Sequence, residues 1–259
     1  MLVVIYSVVI FIATTLGATA GLGGGVIIKP ILDIVGYHDV VNIGFLSSCA
    51  VFSMAIYSVF RQWKNGVDFE WKLISCVGIG AIVGGNLGNH FFSSLLLIID
   101  TNVIKIVQAI ILSCLLILTI VVVKKEIHFY LKNILMYCVV GVFLGVISSF
   151  LGIGGGPINV AIFTFFFGIH IKCATIFSIV TILFSQASKL LTIALTIGFA
   201  SYDYKLLLCI IPVAIAGGIV GSYLNKILKE DKIKLIFSFT VICIIFINLF
   251  IVVQNCIIM

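Results

Sequence analysis

Two glycine-rich runs limit what this chain can fold into: Gly21-Leu22-Gly23-Gly24-Gly25 and Gly152-Ile153-Gly154-Gly155-Gly156, the second followed by Pro157. Both interrupt apolar sequence, where each glycine weakens a helix by about 1 kcal/mol relative to alanine. Glycine also leaves the backbone bare, so N–H groups can face a cavity with no side chain between. A short apolar segment follows each run. The first turn of a helix there exposes unpaired N–H donors and the positive end of the helix dipole. Two such breaks at corresponding places in two halves point to the binding site of a repeat-built transporter.

The sequence around the runs requires a bilayer. Apolar segments fall at about 2–20, 26–36, 41–60, 73–92 and 103–123, then at about 133–151, 157–168, 174–199, 206–225 and 233–253. All but the two short ones have roughly the 20 residues that cross a hydrocarbon core. With 63% hydrophobic and 9% charged residues, the chain holds more apolar side chain than a soluble domain can bury. The net charge of +6 lies in short loops, with no basic patch interleaved with aromatics, so nucleic acid is not an expected partner. The eight cysteines stand singly, without CxxC spacing or a histidine cluster, and read as small apolar residues rather than disulfides or metal ligands. No cofactor is expected. The N-terminus lacks a basic n-region and a small-residue cleavage site, so residues 2–20 read as a retained span.

The two series of segments echo each other. Gly21 matches Gly152 at an offset of 131, Gly36-Tyr37-His38 matches Gly168-Ile169-His170 at 132, and Ala81 to Gly88 matches Ala214 to Gly221 at 133. An offset near half the length marks an internal duplication, divided here into repeats 1–126 and 127–259. The shared small residues of the last pair suit close helix packing. If the short segments are ignored, the repeats are parallel and loop cations split seven against six. If each short segment turns the chain back, Arg61, Lys64, Lys72, Lys124, Lys125, Lys132, Lys172, Lys226, Lys229, Lys232 and Lys234 share one side, leaving Lys105 and Lys205 on the other. Eleven against two is a positive-inside signal. The expected fold is therefore an all-α polytopic membrane protein. It is an inverted repeat of two halves, each with about four long transmembrane helices and one short half-helix, and both termini lie outside the cytoplasm.

Irregular backbone at membrane depth must be buried in protein or line a polar cavity. The expected anion site is therefore formed by Gly23, Gly24, Gly25, Gly154, Gly155, Gly156 and Pro157, with converging helix N-termini. The competing reading gives these glycines only tight turns. Lys189 lies inside apolar sequence, where a lysine is costly and marks function by default, with Gln186 and Ser185 one turn earlier. Lys29 follows the first run and either snorkels or binds, and Asn159 either caps its helix or contacts ligand. Ser47, Ser48 and Ser53 suggest bonds between helices. His38 and His170 hold equivalent positions where each either titrates or is merely solvated. Asn86, Asn89 and His90 form a late polar patch. Acidic residues avoid the centres of the long spans, which favours an anion over a cation.

These motifs resemble the TauE/SafE sulfite exporter family, also called the toluene-sulfonate uptake permease family. The resemblance rests on Gly21, Gly23, Gly24 and Gly25, and on Gly152, Gly154, Gly155, Gly156 and Pro157, and it spans nearly the whole chain. It implies a prokaryotic plasma-membrane permease for sulfite, organosulfonates or related sulfur-containing or carboxylate anions. Val26 stands where the second motif has Pro157, so the two halves need not contribute equally. The resulting expectation is a secondary transporter of a small anion working by alternating access, not an enzyme. Its partners are the anion and the lipid bilayer, with self-association into a homo-oligomer left open. A passive anion channel is the first rival. A thiol or sulfur-transfer enzyme lacks any Cys–His pairing, and the short loops leave little surface for a soluble partner.

Overall fold

The computed structural model describes residues 2–67, 70–99, 101–125, 129–131, 133–151, 155–196, 198, 202–203 and 206–258. Among them the first series forms α1 (Leu2–Ala20), α2 (Gly25–Val35), α3 (Val40–Lys64), α4 (Trp71–Leu96) and α5 (Thr101–Lys125). The second forms α6 (Ile134–Leu151), α7 (Gly156–Phe167), α8 (Ile171–Thr196), α9 (Leu207–Ile227) and α10 (Glu230–Ile258). Eight of these helices are long and apolar enough to cross a membrane, while α2 and α7 reach about halfway. Leu208, Phe239, Phe246 and Leu195 stand exposed, as a lipid-facing surface requires.

The helices end where the backbone demands it. Gly24 (φ 75°) and Gly155 (φ 69°) precede the short helices, and Gly36 and Gly168 close them in the left-handed conformation. Pro157 enters α7 in its first turn, where its missing N–H costs nothing. The described part of α8 ends at Thr196, and Gly198 beyond it has a positive φ. α3 runs past the apolar stretch to Arg61 and Lys64, whose charges suit a helix C-terminus.

Each short helix folds back on its predecessor. A Cβ on Gly17 would meet Gly24 N, and at the far end the Tyr6 hydroxyl lies 2.8 Å from His38 Nδ1, so α1 and α2 are antiparallel. This reversal fixes the sense of later helices. α3 and α9 run the same way, with Met54 opposite Gly218, Gln62 bonded to Asn225, and Lys226 bonded to Asn65. They would be antiparallel if α7 did not return the chain. Helix contacts also persist when the halves are exchanged. α4–α6 corresponds to α9–α1, α3–α9 to α8–α4, and α5–α7 to α10–α2. α3–α8 and α5–α10 map onto themselves. This pattern is consistent with the inverted repeat.

Two ends of the bundle follow. One gathers His38, Asp39, Tyr202 and Asp203. The other gathers Arg61, Lys64 and Asn65 with Lys172, Lys226 and Glu230, joined by bonds from Lys172 Nζ to the Lys226 and Leu228 carbonyls.

Candidate functional site

The two glycine breaks meet at the middle of the bundle. A Cβ on Gly156 would lie 2.0 Å from Leu22 O, so the second break sits with its backbone directly against the first. The Ser178 hydroxyl of α8 is placed 2.6 Å from Gly21 O and 3.2 Å from Gly156 O, one donor shared between the two crossing strands of chain. All of Gly21 to Gly25, and Gly155 to Asn159, are buried. Gly152 and Gly154 lie outside the described residues.

Beside the crossing is a cavity of about 730 Å³, within the usual range for small-molecule sites. Its wall includes Lys29 of α2 and Lys189 of α8, one lysine from each repeat. Among the described residues, neither glycine run, Asn159 nor Gln186 lines it. The cavity lies toward the end that carries His38, Asp39 and Tyr202, all of which line it.

The two lysines are held differently. Lys29 is 8% exposed, and its ammonium donates to Leu151 O (3.1 Å) and to Gln108 Oε1 (3.3 Å). Gln108 of α5 in turn donates to Phe150 O. Two terminal carbonyls of α6, which have no partner within that helix, are thus satisfied by side chains from α2 and α5. The cationic group also sits at the negative end of the α6 dipole. Lys189 is only partly buried and donates to Gly44 O (3.3 Å), the described acceptor for a group with three donors. Asp33, one turn beyond Lys29 on α2, and Asp39 bring carboxylates to the same cavity. The sequence had placed acidic residues away from the span centres, and both lie toward the His38 end.

Asn159 and Gln186 carry buried amide oxygens without a hydrogen-bond partner among the described residues. Turned about, the same amides present NH2 donors, so both retain unused capacity. Ser48 and Ser53 donate to carbonyls four residues back, within their own helix rather than between helices. His38 lies between Tyr6 and Asp203 Oδ2 (3.4 Å), whereas His170 is largely exposed and 3.8 Å from Glu230. Asn89 of the late polar patch lines the cavity.

Gln108, Ser178, Gln62 and Asn225 were not singled out by sequence reasoning. Each is a buried polar residue in a largely apolar helix, and its partners lie up to 206 positions away. Their signal is the cost of a polar side chain at membrane depth, which says that a partner exists but not which one.

Two glycine breaks that meet, and a cavity toward one end, lie within a bundle of eight helices long and apolar enough to cross a membrane. Residues 6–248 match the family model described as Sulfite exporter TauE/SafE, and the chain belongs to that family. It is 28% identical over 229 residues to a probable membrane transporter protein of Methanocaldococcus jannaschii, a match covering 84% of this chain and 81% of that protein. No solved structure matches it.

Proposed function

We propose that the protein is a secondary transporter of a small sulfur-containing anion, such as sulfite or an organosulfonate, working by alternating access. The observation that carries this reading is the pair of lysines, one from each repeat, in one cavity. A cation held in a low-dielectric wall attracts an anion far more strongly than one in water. Lys189, with donors to spare, is the residue for direct contact, while Lys29 binds from a fixed position and also caps α6. The paired glycine breaks, with Pro157, Asn159 and Gln186, lie outside the cavity wall in this state and would contact the anion only after the bundle rearranges. The basic end faces the cytoplasm of a plasma membrane by the positive-inside rule, so the cavity faces outward and both termini are external.

The test is flux into proteoliposomes. Labelled sulfite and short alkyl sulfonates should enter saturably and exchange against internal substrate. Lys189→Gln should lower this flux by roughly a hundredfold, the loss of one charge-assisted contact of about 3 kcal/mol, with the melting temperature nearly unchanged. Absence of flux for every sulfur anion rules out the substrate, wild-type flux in Lys189→Gln rules out the site, and large unsaturable currents rule out the carrier.

A further inference from the structure

We infer that four buried polar residues at the basic end, Thr19, Gln62, Thr175 and Asn225, form a lock that sets the resting direction of the transporter. They are contributed by α1, α3, α8 and α9, and none is more than 3% exposed. Asn225 is the hub. Its Nδ2 donates to Thr19 O (2.7 Å) and Thr175 Oγ1 (3.1 Å), and its Oδ1 accepts from Gln62 Nε2 (3.4 Å). The Thr19 hydroxyl, which donates to Thr15 O of its own helix (2.7 Å), also faces Gly221 O at 3.3 Å. The cluster sits beneath the first glycine break, where a Cβ on Gly21 would collide with Thr175. It closes the side of the crossing opposite the cavity, and opening that side requires α1, α3, α8 and α9 to part.

The duplication supplies the contrast. At offsets of 131 to 133 the equivalents of Thr19, Thr175 and Asn225 are Phe150, Ile43 and Phe92, and Gln62 corresponds to Ala194 or Leu195. Where Asn225 bonds to Thr19 at the closed end, Phe92 packs on Phe150 at the cavity end, with ring centroids 6.4 Å apart. At these equivalent positions the two ends therefore differ: Asn225 of α9 hydrogen-bonds across to α1, whereas Phe92 of α4 meets Phe150 of α6 through its ring, the Phe150 carbonyl being taken by Gln108. Buried amide bonds are directional and costly to leave unmade, whereas aromatic contacts slide. The outward-open state is the one in which the directional bonds are made. Substrate binding must supply enough differential affinity to break them. This inference rests on the alternating-access reading and assigns the residues that bias it.

Hydrogen–deuterium exchange on the intact chain in lipid nanodiscs tests it without substrate. Asn225→Leu should raise exchange roughly tenfold in 58–66 and 168–176 at the basic end and lower it in 36–45 beside the cavity, the scale expected for losing buried hydrogen bonds. Gln62→Leu, which removes one long bond, should shift both segments the same way by less. Phe92→Leu, at the equivalent apolar position, should not raise exchange at the basic end. A rise at both ends in Asn225→Leu would mean general loosening and would overturn the lock, as would no change or the same opening in Phe92→Leu. An unshifted exchange pattern with normal flux defeats the lock alone. A shifted pattern without flux of any sulfur anion defeats the substrate reading alone.

Discussion

The seams α4–α6 and α1–α9 occupy equivalent places in the two repeats, yet they are built differently. In the first, Gly80, Gly84 and Gly88 of α4 face Gly141 and Gly145 of α6, and an added Cβ at any of them would lie 2.0–2.7 Å from opposing backbone. In the second, Gly217 and Gly221 of α9 face Thr14, Thr15 and Ala18 of α1. Thr14 stands where α6 has Gly145 and Ile10 where it has Gly141, at the offset of 131. The first seam is backbone on backbone throughout, whereas the second is so at Gly221, 2.4 Å from Thr15 O, but meets the Thr14 side chain first at Gly217. Helices in a bilayer gain little from the hydrophobic effect and rely on such close approach. The α4–α6 seam thus has the tighter fit and less room to adjust. In the α1–α9 seam the Thr14 hydroxyl bonds back to Ile10 O of its own helix and can turn. The more yielding seam borders the polar lock, where movement is needed.

Gly84→Ala should break the comparison most severely. Its Cβ would lie 2.0 Å from Val142 O, a backbone atom that cannot turn aside, so the helices must separate along their length. The expected cost exceeds about 3 kcal/mol, the upper end for overpacking, despite alanine's better helix propensity. Recovery of folded protein from membranes by size-exclusion chromatography measures it. A yield equal to wild type would show that the α4–α6 seam is loose.

Gly217→Ala, at the equivalent position of α9, should cost less, about 1–2 kcal/mol. The nearest atom to its Cβ is the Thr14 hydroxyl at 2.1 Å, the end of a side chain, with Phe11 O next at 2.9 Å. Adding Thr14→Ala removes that nearest contact and should restore part of the loss in a thermal melt. If the double variant melts no higher than Gly217→Ala alone, the threonine is not what adapts.

The fold was largely legible because the bilayer imposes length, and the expected segments agree with most helix boundaries to within a few residues. Segments 2–20 and 26–36, for example, became Leu2–Ala20 and Gly25–Val35. The reversal at each short helix was legible from where lysine and arginine fall. The seams were legible as small residues, but not their difference, because Thr14 reads as an ordinary span residue until Gly217 is placed against it. The lysines of the cavity stood out because charge within apolar sequence is rare. The location of the cavity did not. Glycine runs announce close approach, and whether that approach admits a ligand or another stretch of backbone depends on a partner, here Leu22 against Gly156, that is 134 residues away.

Gly218→Ala has the smallest expected effect and separates glycine content from seam geometry. Gly218 neighbours Gly217 on α9 but faces α3, where its Cβ would meet Met54 Cγ at 3.1 Å and Met54 O at 3.2 Å. The thioether has three rotatable bonds and can give by a few tenths of an ångström. Alanine also favours the helix over glycine by about 1 kcal/mol. The two effects nearly cancel, so the melting temperature should stay within a few degrees of wild type. A collapse in stability like that expected for Gly84→Ala would mean that α9 cannot accept a methyl group on any face. The softness argued for α1–α9 would then lie in α1 alone, and the threonines rather than the glycines would account for the difference between the seams.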